Sequence, residues 1–272
     1  MTQPALGEGL LTWTPGRGLA PAATAAAMTA VTTDGKLLVA DSWLLREGRV
    51  RGYGRHRERF LRACADCVGP GPRRLVEFWQ SVTAELPRTG EWFPRVELTA
   101  ATRELRLRLR HAPPLGAEVR LWAAGQPDPR TVPRRKGPDL DALARLRGRA
   151  TGAGAQEALL VTPTGVVLES ATASVLWWED DTLCLPPPGL SVLPGVTMAL
   201  VQERAVRSGI RVDHRERTVA ELDGREVWLV NALHGIRPVT GWTGESMTAG
   251  RATRAAHWRA WLDELWEPLP HS

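Results

Sequence analysis

The segment Gly125–Pro133 reads GQPDPRTVP, with three prolines and a glycine in nine residues, and it interrupts a chain whose flanks alternate strand-length and helix-length patterns. Such a run lacks backbone donors and favours turns, so it reads as a linker. At 272 residues the chain exceeds the usual size of one core. The expected organisation is residues 1–124 as a small domain, 125–135 as linker and 136–272 as a larger domain.

Before the linker, Met28–Val50 carries short apolar runs separated by Asp34-Gly35 and Glu47-Gly48, which predicts hairpin strands. Arg55–Cys67 and Arg74–Leu86 space their apolar residues as helices do. Arg95–Ala100, Glu104–His111 and Glu118–Trp122 alternate apolar with polar, as strands with one buried face. Beyond the linker, helices are predicted over Asp139–Arg149, Gly195–Ser208 and Arg251–Trp266. Strands are predicted at Ala158–Val161, Val166–Glu169, Ser174–Trp178, Thr182–Leu185, Ile210–Val212 and Glu226–Val230. The fold class is α/β: a small α+β N-terminal domain followed by a larger mixed α/β domain.

Hydrophobic residues make up 43% and charged residues 24%, ordinary for a soluble globular chain. No apolar run reaches the roughly 18 to 20 residues that span a bilayer, so no membrane segment is expected. The opening MTQPALGEGLLTW does not read as a signal peptide, which suits the cytoplasm. Cys64-Ala-Asp-Cys67 has CxxC spacing but no second Cys or His pair at zinc-finger distance, so no metal is expected. The net charge of +5 comes from scattered arginines rather than one patch, which argues against nucleic acid. Among 35 Lys plus Arg, only Lys36 and Lys136 are lysines, so each surviving lysine calls for a reason.

Four blocks follow in order: His56-Arg-Glu-Arg59-Phe60; the Lys136 segment; Glu157-Ala-Leu-Leu-Val-Thr-Pro-Thr-Gly165-Val-Val-Leu-Glu169; and Pro194-Gly-Val-Thr197 followed by Val230-Asn-Ala-Leu-His-Gly-Ile-Arg-Pro238-Val239. In this order they resemble the class IV aminotransferases, the group that includes branched-chain and D-amino-acid aminotransferases and 4-amino-4-deoxychorismate lyase. The resemblance implies a D-amino-acid/branched-chain aminotransferase-like fold, pyridoxal 5'-phosphate as cofactor, a small-molecule amino substrate and a homodimer. It makes Lys136 the Schiff-base lysine, the amine that holds the cofactor and shuttles protons. Glu169 would meet the ring nitrogen. Arg59, the amides of Val196 and Thr197 and the Thr197 hydroxyl would take the phosphate, as a helix N-terminus and a guanidinium do. Asn231 and Ala232 would approach the cofactor, and His234 would face substrate.

Departures concern the first strand. Val39-Ala-Asp-Ser-Trp43 replaces the family's glycine-rich segment, and by ungapped spacing to His56, Asp41 and Ser42 fall where the lyases carry neighbouring threonines. Ser42 is then a candidate substrate contact. The residue three after the lysine is Asp139 rather than the usual Asn, and Ser174 stands in place of Asn after Glu169. The Asn231–Val239 run favours the lyase that converts 4-amino-4-deoxychorismate to 4-aminobenzoate and pyruvate. A branched-chain or D-amino-acid aminotransferase is the alternative, and a non-catalytic binding protein is the alternative of another class.

Overall fold

A computed structural model describes residues 8–22, 36–123 and 127–270. The chain forms two compact units, one of residues up to Pro114 with Arg135–Pro138 and Leu265–Ser272, the other of Leu115–Arg134 with Asp139–Glu264.

The first unit has a five-stranded sheet in the order β2 (Gly18–Pro21), β1 (Gly9–Thr14), β8 (Leu105–Leu109), β7 (Arg95–Thr99) and β3 (Leu37–Ser42). In β8, Leu105, Leu107 and Leu109 are buried while Arg106 and Arg108 are half-exposed, the two-residue period that seats one face on a core. A second, four-stranded sheet runs β17 (Trp266–Pro268), β5 (Arg49–Arg51), β4 (Leu45–Arg46), β6 (Glu91–Trp92). Helix α1 (Tyr53–Ala65) follows Gly52 in the left-handed region, and α2 (Pro72–Glu85) opens on a proline whose missing N–H costs nothing there. Helix α1 buries Tyr53, His56, Phe60 and Cys64, one face at helical spacing. Trp43, Tyr53 and Trp79 close this core with ring centroids 5.4 to 5.5 Å apart.

The second unit is built on an eight-stranded sheet. It comprises β9 (Val119–Trp122), β10 (Glu157–Val161), β11 (Val167–Ser170), β12 (Ser174–Glu179), β13 (Thr182–Leu185), β14 (Val212–His214), β15 (Val227–Asn231) and β16 (Gly235–Thr243). Their order is β11-β10-β9-β16-β15-β12-β13-β14, with a further β11–β12 pairing. Helix α3 (Leu140–Gly152) sets Leu146 and Ala150 against Ala158, Leu160 and Leu168. Helix α4 (Val196–Arg207) and helix α5 (Ala255–Asp263) complete the unit, and Trp258 of α5 meets Trp178 and Trp228 edge to face.

The structure departs from expectation at definite places. Strand β9 pairs in parallel with β10 and β16 and so belongs to the second unit, while the Lys136 segment belongs to the first, so the division does not follow residues 124 and 136. Strands β1, β2 and β16 were not legible, and the expected strand at Ile210–Val212 forms as Val212–His214. The C-terminal helix is shorter than Arg251–Trp266: it ends at Asp263, and Trp266 pairs with Arg51. The strands and turn expected between Met28 and Gly35, and Gly125 of the linker, lie outside the described residues. No helix among the described residues is long and apolar enough to cross a membrane.

Gly137 ties the lysine segment down. Its φ is +135°, and a Cβ there would lie 2.9 Å from backbone atoms of Val39 and Ala40, too close for any side chain. Gly137→Ala is expected to cost about 2 to 3 kcal/mol through forced backbone displacement. Gly154→Ala, at φ +79° with open space, should cost about 1 kcal/mol. Urea denaturation followed by circular dichroism tests this; equal losses at the two positions would contradict the docking of Gly137 on β3.

Candidate active site

In the first unit the chemistry gathers around Lys136. Ala40 N donates to Lys136 O at 2.7 Å, which fixes the lysine backbone beside β3. One residue further along β3, Asp41 is fully buried, and its carboxylate accepts from Arg59 Nε and Nη2, each at 2.8 Å, and from Ser42 N at 2.8 Å. Its Oδ1 also lies 2.8 Å from His56 Nδ1. Arg59 and His56 sit three residues apart on α1, the spacing that puts both on one side of the helix. Arg59, which the resemblance assigns to the phosphate, is thus held by its Nε and Nη2 on a buried carboxylate.

The charges explain the protonation states. Burial opposes ionisation of Asp41, but Arg59 and His56 hold its carboxyl well below the usual carboxylate range. Burial pushes His56 below its ordinary value, against the pull of Asp41. A neutral His56 facing an ionised carboxylate carries its proton on Nδ1, which then donates to Asp41. Lys136 is pushed down to about 8, first by burial and then by Arg59, with Arg95 and Arg110 adding to the depression and Asp41 opposing it. An amine with that value is about one-tenth unprotonated at pH 7, a far larger share than an ordinary lysine offers, and the unprotonated form is the nucleophile. Its Nζ has no hydrogen-bond partner among the described residues. Arg95 and Arg108 are balanced by Glu97, at 2.6 and 3.1 Å, whereas Arg110 donates to Phe93 O and is lowered to about 10 by burial and its arginine neighbours. Ser42, nearly buried, lies opposite Arg95 in the β3–β7 register.

The second unit carries the acidic and phosphate-type groups. Glu169, near the end of β11, is buried; its Oε1 accepts from Arg130 Nη1 and from Leu193 N, the latter at 2.9 Å, while Oε2 accepts nothing among the described residues. Burial raises Glu169 to about 7 although Arg130 and the Leu193 amide oppose the shift. Arg130 is itself clamped by Asp128, with Nε and Nη2 at 2.7 to 3.0 Å from its carboxylate, so Asp128 already spends that cation's charge. A second cation beside Glu169 would complete the balance.

Helix α4 begins at Gly195 with no side-chain cap, leaving the amides of Val196 and Thr197 in the first turn without intrahelical acceptors. Gly195 brings the helix N-terminus close to the start of β12: a Cβ there would lie 2.7 Å from Ser174 Oγ and would turn that hydroxyl aside. Strands β15 and β16 form a hairpin whose loop is Ala232-Leu233-His234, with Gly235 at φ +70°. Asn231 Oδ1 accepts from Leu233 N and His234 N, and its Nδ2 donates to Thr172 O, so this side chain shapes the loop. His234 Nδ1 accepts from Gly116 N at 3.2 Å, and burial with the Arg237 charge pushes its ionisation down to about 4. It is a neutral ring with only Nε2–H left to offer.

Three contributors escaped the sequence reading. Arg130 and Asp128 sit in the stretch taken as linker. Asp139, at the family's Asn position, accepts from Thr131 N, Thr131 Oγ1 and Val132 N at 2.9 Å and closes the neck of the lysine segment. The Pro-bounded DPR triplet before a lone lysine was the available signal. Cys67 Sγ donates to Ala63 O and takes a contact from Arg135, and the described residues contain no metal-ligating cluster.

The family model for amino-transferase class IV matches residues 38–242. Aminodeoxychorismate lyase of Vibrio harveyi is 34% identical over 76 residues, 28% of this chain and 28% of the lyase, so the chain spans little of that relative's length. The Escherichia coli branched-chain amino acid aminotransferase superposes with TM-score 0.75 at 16% identity, covering 98% of this chain and 97% of that one. A hypothetical aminotransferase from Mycobacterium tuberculosis in its PLP-bound form gives 0.69 at 21% identity, with 94% and 98% covered. These structural likenesses establish the fold, and the family match over three quarters of the chain establishes membership: the protein belongs to the class IV aminotransferase family.

Proposed function

We propose that the protein is a pyridoxal-phosphate enzyme with Lys136 as its covalent lysine, and that it releases 4-aminobenzoate and pyruvate from 4-amino-4-deoxychorismate. What supports the cofactor assignment is, in the first unit, the lowered Lys136 amine and, in the second, the half-committed Glu169 carboxylate and the uncapped N-terminus of α4, each suited to one group of pyridoxal phosphate. Lys136 Nζ suits the aldehyde carbon, Glu169 Oε2 suits a protonated ring nitrogen, and the first-turn amides of α4 with the Thr197 hydroxyl suit the phosphate. The unbalanced charge of Glu169, whose arginine is shared with Asp128, favours a cationic ring nitrogen over a neutral one. When bound, the cofactor supplies an electron sink for the carbon that bears the substrate amine.

The residues then divide the work. Lys136 Nζ removes the proton from that carbon and returns one to the departing enolpyruvyl carbon, which leaves as pyruvate. Glu169 would hold a proton on the ring nitrogen, keeping that nitrogen cationic. Asn231 orders the Ala232-Leu233-His234 loop, whose backbone and neutral His234 ring would face substrate, and Ser42 would be a second substrate contact. The lyase is favoured over a transaminase by the Asn231–Val239 run and by the local identity to the Vibrio lyase. A transaminase would use the same Lys136 and Glu169 but would need a keto-acid partner.

Incubation of the holoenzyme with 4-amino-4-deoxychorismate, following 4-aminobenzoate by fluorescence and pyruvate by coupled reduction, is expected to show equimolar products without an added keto acid. Product formation that requires a keto acid would assign the transaminase instead. Glu169→Gln removes a charge-assisted hydrogen bond of about 1.5 to 3 kcal/mol and should lower kcat roughly 10- to 100-fold while the fold is retained. Capture of pyridoxal phosphate by the cofactor-free protein should accelerate as pH rises through about 8, because the reactive amine is the unprotonated one. A capture rate still climbing toward pH 10.5 would mean an ordinary exposed lysine.

A further inference from the structure

We propose that Asp41 is a positioning residue for Lys136: its buried carboxylate locks Arg59 and His56 into one arrangement and stands as the counter-charge beside the lysine. The inference rests on Lys136 being the reactive amine, but its test does not require cofactor or turnover.

Three observations support it. First, Asp41 has no exposed surface and every strong donor around it is aimed at it: the Arg59 fork, the His56 ring and the Ser42 amide. A surface-type ion pair gains little, whereas a side-on guanidinium pair on a buried carboxylate fixes both planes. Second, Asp41 follows Ala40, whose amide holds Lys136 O at 2.7 Å, and Gly137 touches the backbone of Val39 and Ala40. The carboxylate and the lysine are therefore anchored on the same two residues of β3. Third, the groups whose charge acts on Lys136 come from every neighbouring element of this unit: Arg59 on α1, Arg95 on β7 and Arg110 after β8 act against its ionisation, and Asp41 on β3 acts for it. Glu97 is occupied by Arg95 and Arg108, and His56 is neutral. In the lyases, hydroxyl residues occupy the corresponding positions by spacing, so this anion sets the present chain apart.

Two roles give opposite signs. If Asp41 positions and balances, then Asp41→Asn removes an anion while keeping shape and burial, and the Lys136 amine loses its proton at lower pH. If Asp41 only props up the fold, Asp41→Asn loosens the site, hydrates the lysine and returns it toward the ordinary value. The full-length protein, stripped of cofactor, is pulsed with acetic anhydride from pH 6 to 10, and the acetylation of each lysine is read by mass spectrometry. Lys36, which is exposed, serves as internal reference. Asp41→Asn is expected to acetylate at Lys136 about fivefold faster than wild type at pH 7, as a one-unit fall from about 8 gives, with Lys36 unchanged. Asp41→Glu should restore the wild-type profile.

An unchanged or slower Lys136 in a folded Asp41→Asn protein would overturn the proposal. Should that variant fail to fold, nitrogen-15 NMR of the histidine rings in wild-type protein decides: His56 is expected as the neutral Nδ1–H form at pH 7 and above, and a protonated or Nε2–H ring there would overturn it. If acetylation moves as expected but the lysine never takes up pyridoxal phosphate, the positioning role stands and the proposed function fails.

Discussion

The contact between the lysine segment and strand β3 decides how this protein can work. A hydrogen bond from Ala40 N to Lys136 O and the close approach of Gly137 to Val39 and Ala40 hold a nine-residue excursion whose neck is closed by Asp139. Without that contact the chain would have an ordinary long lysine on a Pro-rich loop. With it, the amine is half-buried among three arginines and one carboxylate, and its basicity falls to about 8. The local backbone thus sets the chemistry: only a glycine fits at 137, and only a fixed lysine can be tuned by charges that are themselves fixed.

A similar economy operates in the second unit. Glu169 is buried on β11 with one carboxylate oxygen committed to Arg130 and the Leu193 amide, and Asp128 takes up much of the arginine's charge. The result is a carboxylate raised to about 7 that a protonated ring nitrogen would restore to its ionised form. The α4 N-terminus lies close to Ser174 at the start of β12, with Gly195 at the contact. Each unit therefore presents groups whose charge is displaced from its ordinary state, the Lys136 amine in one and the Glu169 carboxylate in the other, as chemically active groups commonly are.

Much of this was legible in sequence, for identifiable reasons. Strands such as β8 announce themselves because leucine and arginine alternate. Lys136 stands out because arginine replaces lysine almost everywhere else, and the order of the blocks around it points to the family. Strand β16 was hidden: Gly235, Arg237 and Pro238 all argue against a central strand, yet parallel pairing to β9 begins at Val239, just past the proline. In the N-terminal pair, β1 buries Leu11 and Trp13 but Leu10 beside them breaks the alternation, and β2 is only four residues long. At the site, Asp41 was visible only as a departure from the lyases' threonines and without a role, since its partners lie 15 and 18 positions away and only folding joins them. Arg130 and Asp128 were lost inside a segment whose prolines read as linker, and the two-domain division at residues 124 and 136 failed to anticipate that the lysine segment packs with the first unit.

The central claim is that Lys136 is the residue that binds pyridoxal phosphate covalently. Borohydride reduction of the protein loaded with pyridoxal phosphate, followed by proteolysis and mass spectrometry, tests it most directly because the chain offers only two lysines. The account predicts stoichiometric loss of the visible cofactor band and a phosphopyridoxyl label confined to the peptide containing Lys136. Label on Lys36, or no reducible bond at all, would contradict it.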